Sequence, residues 1–450
     1  MFFKHLGNNL HKRLIYIAIP IIIQNLVLYL QIQIDMAMVG QANSLFLSAI
    51  ANVLYPYNIV IAFLTSLSTG ATVVSSHCIG AKSLNSAQRY SEVSFFFNFI
   101  LAVPFFLILY LLPSTLLTLM GTTAQINEYG TIFLQSLSFS VICLGVSLSI
   151  TSLLMGMGKT KHLMLSSVVT TAINIFFDWA LIYGNLGFPE WGIQGAGIAT
   201  SIANFTGMMY LIIALITSKN LHYKPSLKGI LKPRWHIQWR SIVVGLPFGL
   251  EAMFWSLGQI IMVRMINGVD EYAAGLYVLI TRIQSVTFFF YLGLARATMT
   301  LVGQEMGANN REGAFYVVSL SLKYAFSICV LASITFLLFP DSLLSIFSSD
   351  HDLINRALPL LNIVALTIFP VAVNVISGNA LRGMKDTKWM FYTQSFGTAF
   401  VIVVSATLLF NFNLGLKGVI ITVLCDEIIR AILNYRRFRN NVSVQISHAY

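Results

Sequence analysis

The segment LLMGMGKTK at residues 153–161 recurs 227 positions later as ALRGMKDTK at residues 380–388. The same spacing takes Pro20 to Pro247. Landmarks that keep one register over so long a stretch indicate an internal repeat. Further matched positions are Gly80 and Gly307, Pro113 and Pro340, Gly156 and Gly383, and Thr160 and Thr387.

The chain between these landmarks is strongly apolar. Of its 450 residues, 57% are hydrophobic and only 10% are charged, and runs such as LAVPFFLILYLLP at 101–113 are uninterrupted. A helix needs about 20 mainly apolar residues to cross a hydrocarbon layer ~30 Å thick. Reading the apolar runs between polar breaks predicts twelve transmembrane helices. The predicted fold class is therefore an all-α integral membrane protein, embedded in a lipid bilayer.

The basic side chains are distributed unevenly along the chain, which has a net charge of +11. They gather in both termini and in the even-numbered loops, whereas the first, third and fifth loops contain neither Lys nor Arg. This alternation follows the positive-inside rule and predicts that both termini and the even-numbered loops are cytoplasmic. Topology thus explains the basic charge, and a nucleic-acid partner is not expected.

The repeat divides the predicted spans into two sets of six. Because six is even, both sets begin on the same side of the membrane and are parallel. We predict an amino-terminal six-helix lobe over 1–218, a basic cytoplasmic linker over 219–240 and a carboxy-terminal six-helix lobe over 241–450. Parallel repeats of this kind are a transporter architecture, with the working site between or within bundles.

Three acidic residues stand out inside predicted spans: Asp35, Asp178 and Glu251. A charge at the centre of a membrane helix costs at least ~2.5–3.5 kcal/mol, so it usually faces a cavity or a partner. At ~1.5 Å per residue, Asp35 and Asp178 both lie ~7–9 Å below the outer boundary and could meet. Asn174 shares the face of Asp178, and Thr200 reaches a comparable depth in the next span.

Four oxygen-bearing side chains at one depth favour an ion site. Two close carboxylates in a medium of low dielectric constant cannot both ionise cheaply, so one is expected to take up a proton. Alternatively, carboxylate, amide and hydroxyl oxygens are hard ligands suited to a small cation such as Na⁺. We predict that Asp35, Asn174, Asp178 and Thr200 bind the coupling ion, H⁺ or Na⁺, and that no further cofactor is needed.

The repeat provides an internal control for this interpretation. Met262, Val401 and Ser405 occupy the positions equivalent to Asp35, Asn174 and Asp178. If the polar residues served only bundle packing, the second bundle should need them too, so the asymmetry favours a function. The alternative is that both aspartates are separate residues hydrogen-bonded to backbone near helix ends.

Two further features of the predicted spans have structural and functional interpretations. Glu251 and Arg282 lie at similar depth, which predicts a structural ion pair between them, with binding of a cationic substrate as the alternative. Pro20 interrupts the first span and frees a backbone carbonyl, so it is either a static kink or a bending point coupled to protonation of Asp35.

The combined motifs resemble the multidrug and toxic compound extrusion (MATE) transporters. They are AIPIIIQN at 18–25, QIDMAMVG at 33–40 and WGIQGAGIAT at 191–200, together with GAKSLNSA, GANNREGA and LRGMKDTK in the loops. The resemblance covers essentially the whole chain and is greatest to the bacterial DinF-like branch, whose amino-terminal lobe carries an acidic cluster.

This resemblance implies a V-shaped pair of lobes that exports organic cations and other drugs in exchange for H⁺ or Na⁺. The family's amino-lobe residues match Asp35, Asn174, Asp178 and Thr200, and its bending proline matches Pro20. It further implies a multi-pass protein of the bacterial cytoplasmic membrane, which we expect to be a monomer. Relatives in the other bacterial branch have a carboxy-lobe ion site, but here the tenth span has Asn374 rather than an acid.

Two other functions compete with drug export. A lipid-linked saccharide flippase of the same superfamily has a cationic cavity, which Arg282 and Arg296 could provide. An integral membrane enzyme is a remote alternative, because the eight histidines are scattered and no nucleophile lies near an evident base. A passive channel would need a polar stripe in both halves. We therefore predict a transporter and not an enzyme.

Overall fold

The computed structural model describes residues 2–219, 221–232, 234–268, 272–347 and 350–443. Over these residues the chain forms fifteen α-helices and no β-strand. The first eight are α1 (Phe2–Ala42), α2 (Ser44–Gly80), α3 (Leu84–Leu111), α4 (Pro113–Leu119), α5 (Ala124–Gly156), α6 (Lys161–Tyr183), α7 (Ile193–Thr217) and α8 (Leu227–Ile230). The others are α9 (Trp235–Ile266), α10 (Ala273–Gly307), α11 (Arg311–Leu338), α12 (Pro340–Ser345), α13 (His351–Gly383), α14 (Thr387–Ala406) and α15 (Gly415–Ser443).

The helix ends reproduce the repeat found in the sequence. Helices α2 and α10 end at Gly80 and Gly307, and α5 and α13 end at Gly156 and Gly383, in both cases 227 residues apart. The turns agree as well, because Lys82 and its counterpart Asn309 both have φ 57°. The predicted all-α fold with two repeats is thus confirmed.

Eleven helices in the described part of the chain are long and apolar enough to cross a membrane. They correspond to the first eleven predicted spans. The twelfth prediction falls on α15, which is 29 residues long but carries Asp426, Glu427 and Arg430 within its apolar stretch. Length therefore suits α15 to the membrane, whereas its composition differs from that of the other spans.

The chain divides into two compact units whose limits fall inside two helices. The amino-terminal unit comprises Ile23–Gly249, and the carboxy-terminal unit comprises Met1–Ile22 with Leu250–Tyr450. The limits lie two residues after Pro20 and Pro247, so they are themselves related by the repeat. These compact units differ from the sequence-based lobes, because the start of α1 packs with the second repeat and the linker with the start of α9 packs with the first.

Small residues allow the close helix contacts on which this arrangement depends. In the amino-terminal unit, a Cβ added to Gly249 would lie 2.9 Å from Ser66 Cβ. In the carboxy-terminal unit, a Cβ added to Gly293 would lie 2.9 Å from the backbone nitrogen of Ile22. Gly293 and Ile22 are the repeat equivalents of Ser66 and Gly249, so each unit contains the same helix crossing. Small residues at such crossings are typical of membrane helix bundles.

Candidate functional site

Side chains of α1 and α6 form a polar cluster within the amino-terminal unit. The carboxyl groups of Asp35 on α1 and Asp178 on α6 are close enough to interact, and Gln31 lies beside Asp35. The Asn174 amide nitrogen donates to Asp178 Oδ2 over 3.0 Å. The structure thus brings together three of the four residues predicted to bind the ion.

A chain of hydrogen bonds leads towards Asp178. The Thr171 hydroxyl donates to Gln31 Oε1 over 2.8 Å. The Gln31 amide donates in turn to Asn174 Oδ1, and the Asn174 amide donates to Asp178 Oδ2. Helical geometry explains the alignment, because residues 31 and 35 on α1 and residues 174 and 178 on α6 are each one turn apart. Every donor in the series points towards the carboxylate pair.

The cluster is well shielded from solvent. Asn174 is fully buried, Asp178 is 1% exposed and Gln31 and Thr171 are buried as well, whereas Asp35 is half-buried. Among the described residues, Asp35 Oδ1 and Asp178 Oδ1 are buried and lack a hydrogen-bond partner. Buried polar atoms are rarely left unsatisfied. These two oxygens are therefore the atoms at which a proton or a small cation could bind.

Thr200, the fourth predicted residue, makes a different contact. Its hydroxyl donates to Ala196 O in the preceding turn of α7 over 2.9 Å, a bond common for threonine inside helices. The structure does not bring Thr200 into the hydrogen-bonded cluster described above. Its part in ion binding stays a prediction.

Gln31 and Thr171 are the members of the cluster that sequence reasoning missed. Neutral polar residues are common in membrane helices, so a glutamine or a threonine there does not by itself indicate a site. The available signal was spacing: Gln31 precedes Asp35 by one turn, and Thr171 precedes Asn174 by three residues. A face-by-face search around each buried acid would have found both.

Glu251 has a different partner from the one predicted. Its Oε1 lies 2.5 Å from Arg382 Nη2, and both side chains are largely buried within the carboxy-terminal unit. Arg282, the predicted partner, is exposed, so the predicted Glu251–Arg282 ion pair is wrong. Depth alone was insufficient, because partner choice depends on which helix face points into the bundle. Arg382 lies in the last turn of α13, on its buried side.

A second charged cluster in α15 also escaped the sequence interpretation. Arg430 Nη2 lies 2.6 Å from Asp426 Oδ2 and 2.5 Å from Glu427 Oε1. Arg430 Nη1 also donates to Gln394 Oε1 over 2.7 Å, and Asn374 donates to Glu427 Oε2 over 2.8 Å. The signal in the sequence is the spacing, because Arg430 follows Asp426 by four residues and Glu427 by three within an apolar run. Residues at these spacings are neighbours on a helix surface.

The α15 cluster adjoins a small cavity of about 80 Å³ in the carboxy-terminal unit. Met262, Thr398 and Val401 line this cavity, and they are the repeat equivalents of Asp35, Thr171 and Asn174. The second repeat thus keeps a space at the position of the polar cluster. Its carboxylates come from another helix and are already paired with a guanidinium.

A family model matches the chain twice, and it establishes the family. The MatE model matches residues 20–180 and again residues 247–407, with the register of the repeat. The chain belongs to the MatE family of transporters. It is therefore a multi-pass membrane transporter and not an enzyme. Members of this family use ion gradients without a cofactor and handle small-molecule drugs.

Relatives of known name agree with this assignment. The probable multidrug resistance protein NorM of Thermotoga maritima is 27% identical over 439 residues, which cover 94% of this chain and 91% of that protein. The uncharacterized transporter YisQ of Bacillus subtilis is 26% identical over 395 residues, which cover 86% of this chain and 85% of that protein.

Solved structures show the same fold. A crystal structure of MATE in the bent conformation superimposes with a TM-score of 0.90 at 20% identity, covering 99% of this chain and 98% of that one. A MOP superfamily transporter from Pyrococcus furiosus superimposes with a TM-score of 0.89 at 20% identity, covering 96% of each chain. These similarities support the fold alone.

Proposed function

We propose that the protein is a secondary antiporter of the bacterial cytoplasmic membrane that exports organic cations in exchange for H⁺ taken up by Asp35 and Asp178. The observation that carries this proposal is the contact between the two carboxyl groups. Ionised carboxylates are acceptors only. The two groups can therefore hydrogen-bond to each other only when one of them holds a proton.

The arrangement of the amides supports a proton over Na⁺. Asn174 Oδ1 already accepts from Gln31, so one of its two lone pairs is used in this conformation. Asn174 also presents its NH₂ group to Asp178, and an N–H donor stabilises a carboxylate but repels a metal ion. A Na⁺ site that used the Asn174 oxygen beside Asp178 would need this amide to turn over, because its NH₂ group now faces the carboxylate.

The exchange follows from the charge of the pair. When the shared proton leaves, two carboxylates face each other in a buried place, and a cation in a connected cavity would be attracted. When a proton binds, the attraction weakens and the cation is released. The even-numbered loops and both termini would be cytoplasmic, as the basic residues predict. A single chain holds both repeats, so a monomer is sufficient.

Efflux from proteoliposomes tests the proposal. Protein would be reconstituted with a fluorescent organic cation inside, and a pH gradient or a Na⁺ gradient would be imposed separately. We expect the wild type to respond to the pH gradient. Asp35→Asn should lose gradient-driven efflux while still binding the dye, because the new amide supplies a permanent N–H donor to Asp178 in place of the exchangeable proton.

Asp341→Asn is a matched control, since Asp341 is an exposed acid in α12 and should not affect coupling. Efflux driven by the Na⁺ gradient alone would show that Na⁺ is the coupling ion. Full proton coupling in both Asp35→Asn and Asp178→Asn would reduce the two aspartates to a structural role.

Protonation of the pair is also proposed to bend α1 at Pro20. Helix α1 is continuous through Pro20, and Asp35 lies about four turns further along the same helix. Spin labels at the exposed positions Tyr16 and Leu28 would stand ~18 Å apart on a straight helix. We expect their distance distribution to change between high and low pH in the wild type and to stay fixed in Asp35→Asn. Identical distributions in the wild type at both pH values would contradict the coupling.

A further inference from the structure

The segment that follows α7 folds back on the beginning of α3 and is fixed there at two points. The Tyr223 hydroxyl, which is buried, hydrogen-bonds with Ser75 at 2.9 Å and with Ser91 at 3.1 Å. Further along, the backbone nitrogen and the hydroxyl of Ser226 both donate to Glu92 Oε1 over 2.9 Å. These contacts hold the short helix α8 in a defined position.

Gly229 in α8 packs directly on the Glu92 carboxylate. A Cβ added at Gly229 would overlap the carboxylate atoms, so the close approach requires glycine. Gly229 N also donates to the Ser226 hydroxyl over 3.0 Å, which caps α8. The Glu92 charge is thus used to anchor the linker.

Between α3 and this linker lies a cavity of about 310 Å³, which we call the basic groove. This volume is at the lower end of the range for small-molecule pockets, about 300–1,000 Å³. Glu92 is the sole acid in its lining. The other lining residues with charged or amide side chains are Asn85, Gln88, Arg89, Lys228, Lys232 and Arg234.

The four cations of the basic groove have no acidic partner. Among the described residues, the side chains of Arg89, Lys228, Lys232 and Arg234 take part in no ion pair and no hydrogen bond. The carboxylate of Glu92 accepts instead from Ser226 and Gln88. Four cations beside a single carboxylate leave the groove with a net positive charge, which is unfavourable in itself. The groove is therefore complementary to an anion.

The surroundings of the groove are those of a membrane surface. Leu227 and Leu231 on either end of α8 are 79% and 73% exposed, and Trp235 and Trp239 at the start of α9 are 59% and 54% exposed. The two tryptophans are ring neighbours at 6.2 Å. Exposed tryptophans of this kind are typical of the interface between water and lipid. A soluble anion would make no use of them, whereas a lipid would.

We propose that the basic groove binds the headgroup of an anionic phospholipid, with its phosphate held by Arg89, Lys228, Lys232 and Arg234 and its acyl chains beside Leu227, Leu231 and the two tryptophans. By the topology proposed above, this lipid belongs to the cytoplasmic leaflet. The inference does not depend on the coupling mechanism. A lipid bound there would tie the linker to the membrane.

Native mass spectrometry of the purified full-length chain, titrated with phosphatidylglycerol or phosphatidylcholine, tests this site. The wild type should bind phosphatidylglycerol in preference. Each cation near a membrane surface contributes ~1 kcal/mol, so the double change Lys228→Gln and Lys232→Gln should weaken phosphatidylglycerol binding about 30-fold, at a factor of ten per 1.4 kcal/mol. The double change Lys219→Gln and Arg240→Gln removes the same charge from exposed positions outside the groove and should leave the preference intact.

The variant Gly229→Ala distinguishes binding at a defined site from attraction by surface charge in general. It keeps every cation but displaces α8 from Glu92, so it should also reduce the preference for phosphatidylglycerol. Equal effects of the groove and control double variants, or an unchanged preference in Gly229→Ala, would overturn the proposal. Competition by inorganic phosphate at the lipid's own concentration would also overturn it, because the site would then be one for a free anion.

Discussion

Glu251→Gln tests whether the buried ion pair of the carboxy-terminal unit stabilises the fold. The change removes the carboxylate that lies 2.5 Å from Arg382 Nη2, where the two side chains are 12% and 10% exposed. Breaking a buried pair by removing one partner costs about 3–5 kcal/mol, because it leaves the other charge uncompensated.

The repeat supplies the compensating variant. The equivalents of Glu251 and Arg382 in the first repeat are Gln24 and Met155, a neutral combination that the same scaffold already accepts. The double change Glu251→Gln with Arg382→Met should therefore recover most of the lost stability. Neutral replacements of buried ion pairs are often no less stable than the pair itself.

The free energy of unfolding would be measured by SDS titration in mixed micelles for the wild type, both single variants and the double variant. Wild-type stability in Glu251→Gln, or a double variant as unstable as the single ones, would refute the reasoning. Dye binding by the same four proteins addresses the alternative role of Glu251. A stable double variant that no longer binds the cation would assign Glu251 to the substrate.

Two other substitutions test packing and charge in the same assay. Arg430→Met should lower the free energy of unfolding by about 3–5 kcal/mol, because it removes the cation from the buried Asp426 and the partly buried Glu427. A loss below about 1 kcal/mol would mean that these carboxyl groups are neutral or solvated. Gly245→Ala should cost about 1–3 kcal/mol, since a methyl group there would overlap Ser66 O and overpacking carries a penalty of this size. Gly40→Ala, where the nearest atom outside the local backbone is 3.8 Å away, is its control and should be nearly neutral.

The features that could be predicted from the sequence are those set by the length of the apolar runs and by the 227-residue spacing of the repeat. The apolar runs predicted the helices because length and composition decide membrane insertion. The spacing of 227 residues predicted the paired helix ends. Asp35 and Asp178 could be brought together because their distances from the span ends fixed their depth, and depth suffices when two helices are neighbours.

The missed features depend on the rotation of each helix about its axis. Arg282 and Arg382 are both basic residues inside or near spans, but α13 turns Arg382 towards the bundle whereas Arg282 is exposed. Depth does not contain that information. The charges of α15 were missed for another reason. They interrupt an apolar run, and identifying a span by its apolar residues gives no weight to the charges within it. Their spacing nevertheless allows them to neutralise one another.

The two repeats use the same position in different ways, and this difference supports the proposal that the amino-terminal site exchanges an ion. In the amino-terminal unit, the carboxyl groups of Asp35 and Asp178 have no basic partner in the hydrogen-bonded cluster and keep one unsatisfied oxygen each. In the proposed mechanism, a proton binds there and leaves again in each cycle. In the carboxy-terminal unit, the carboxylates beside the equivalent cavity are held by Arg430, a cation attached to the same helix one turn away.

A tethered guanidinium cannot be exchanged for a free ion at comparable cost, because its effective concentration at the carboxylates is fixed by the backbone. Arg430 also makes three charge-assisted contacts at once, with Asp426, Glu427 and the Gln394 amide oxygen. We infer that the duplication supplied two equivalent cavities, of which one kept its negative charge available and the other neutralised it permanently. Coupling would then be set by the single proton that the Asp35–Asp178 pair can share.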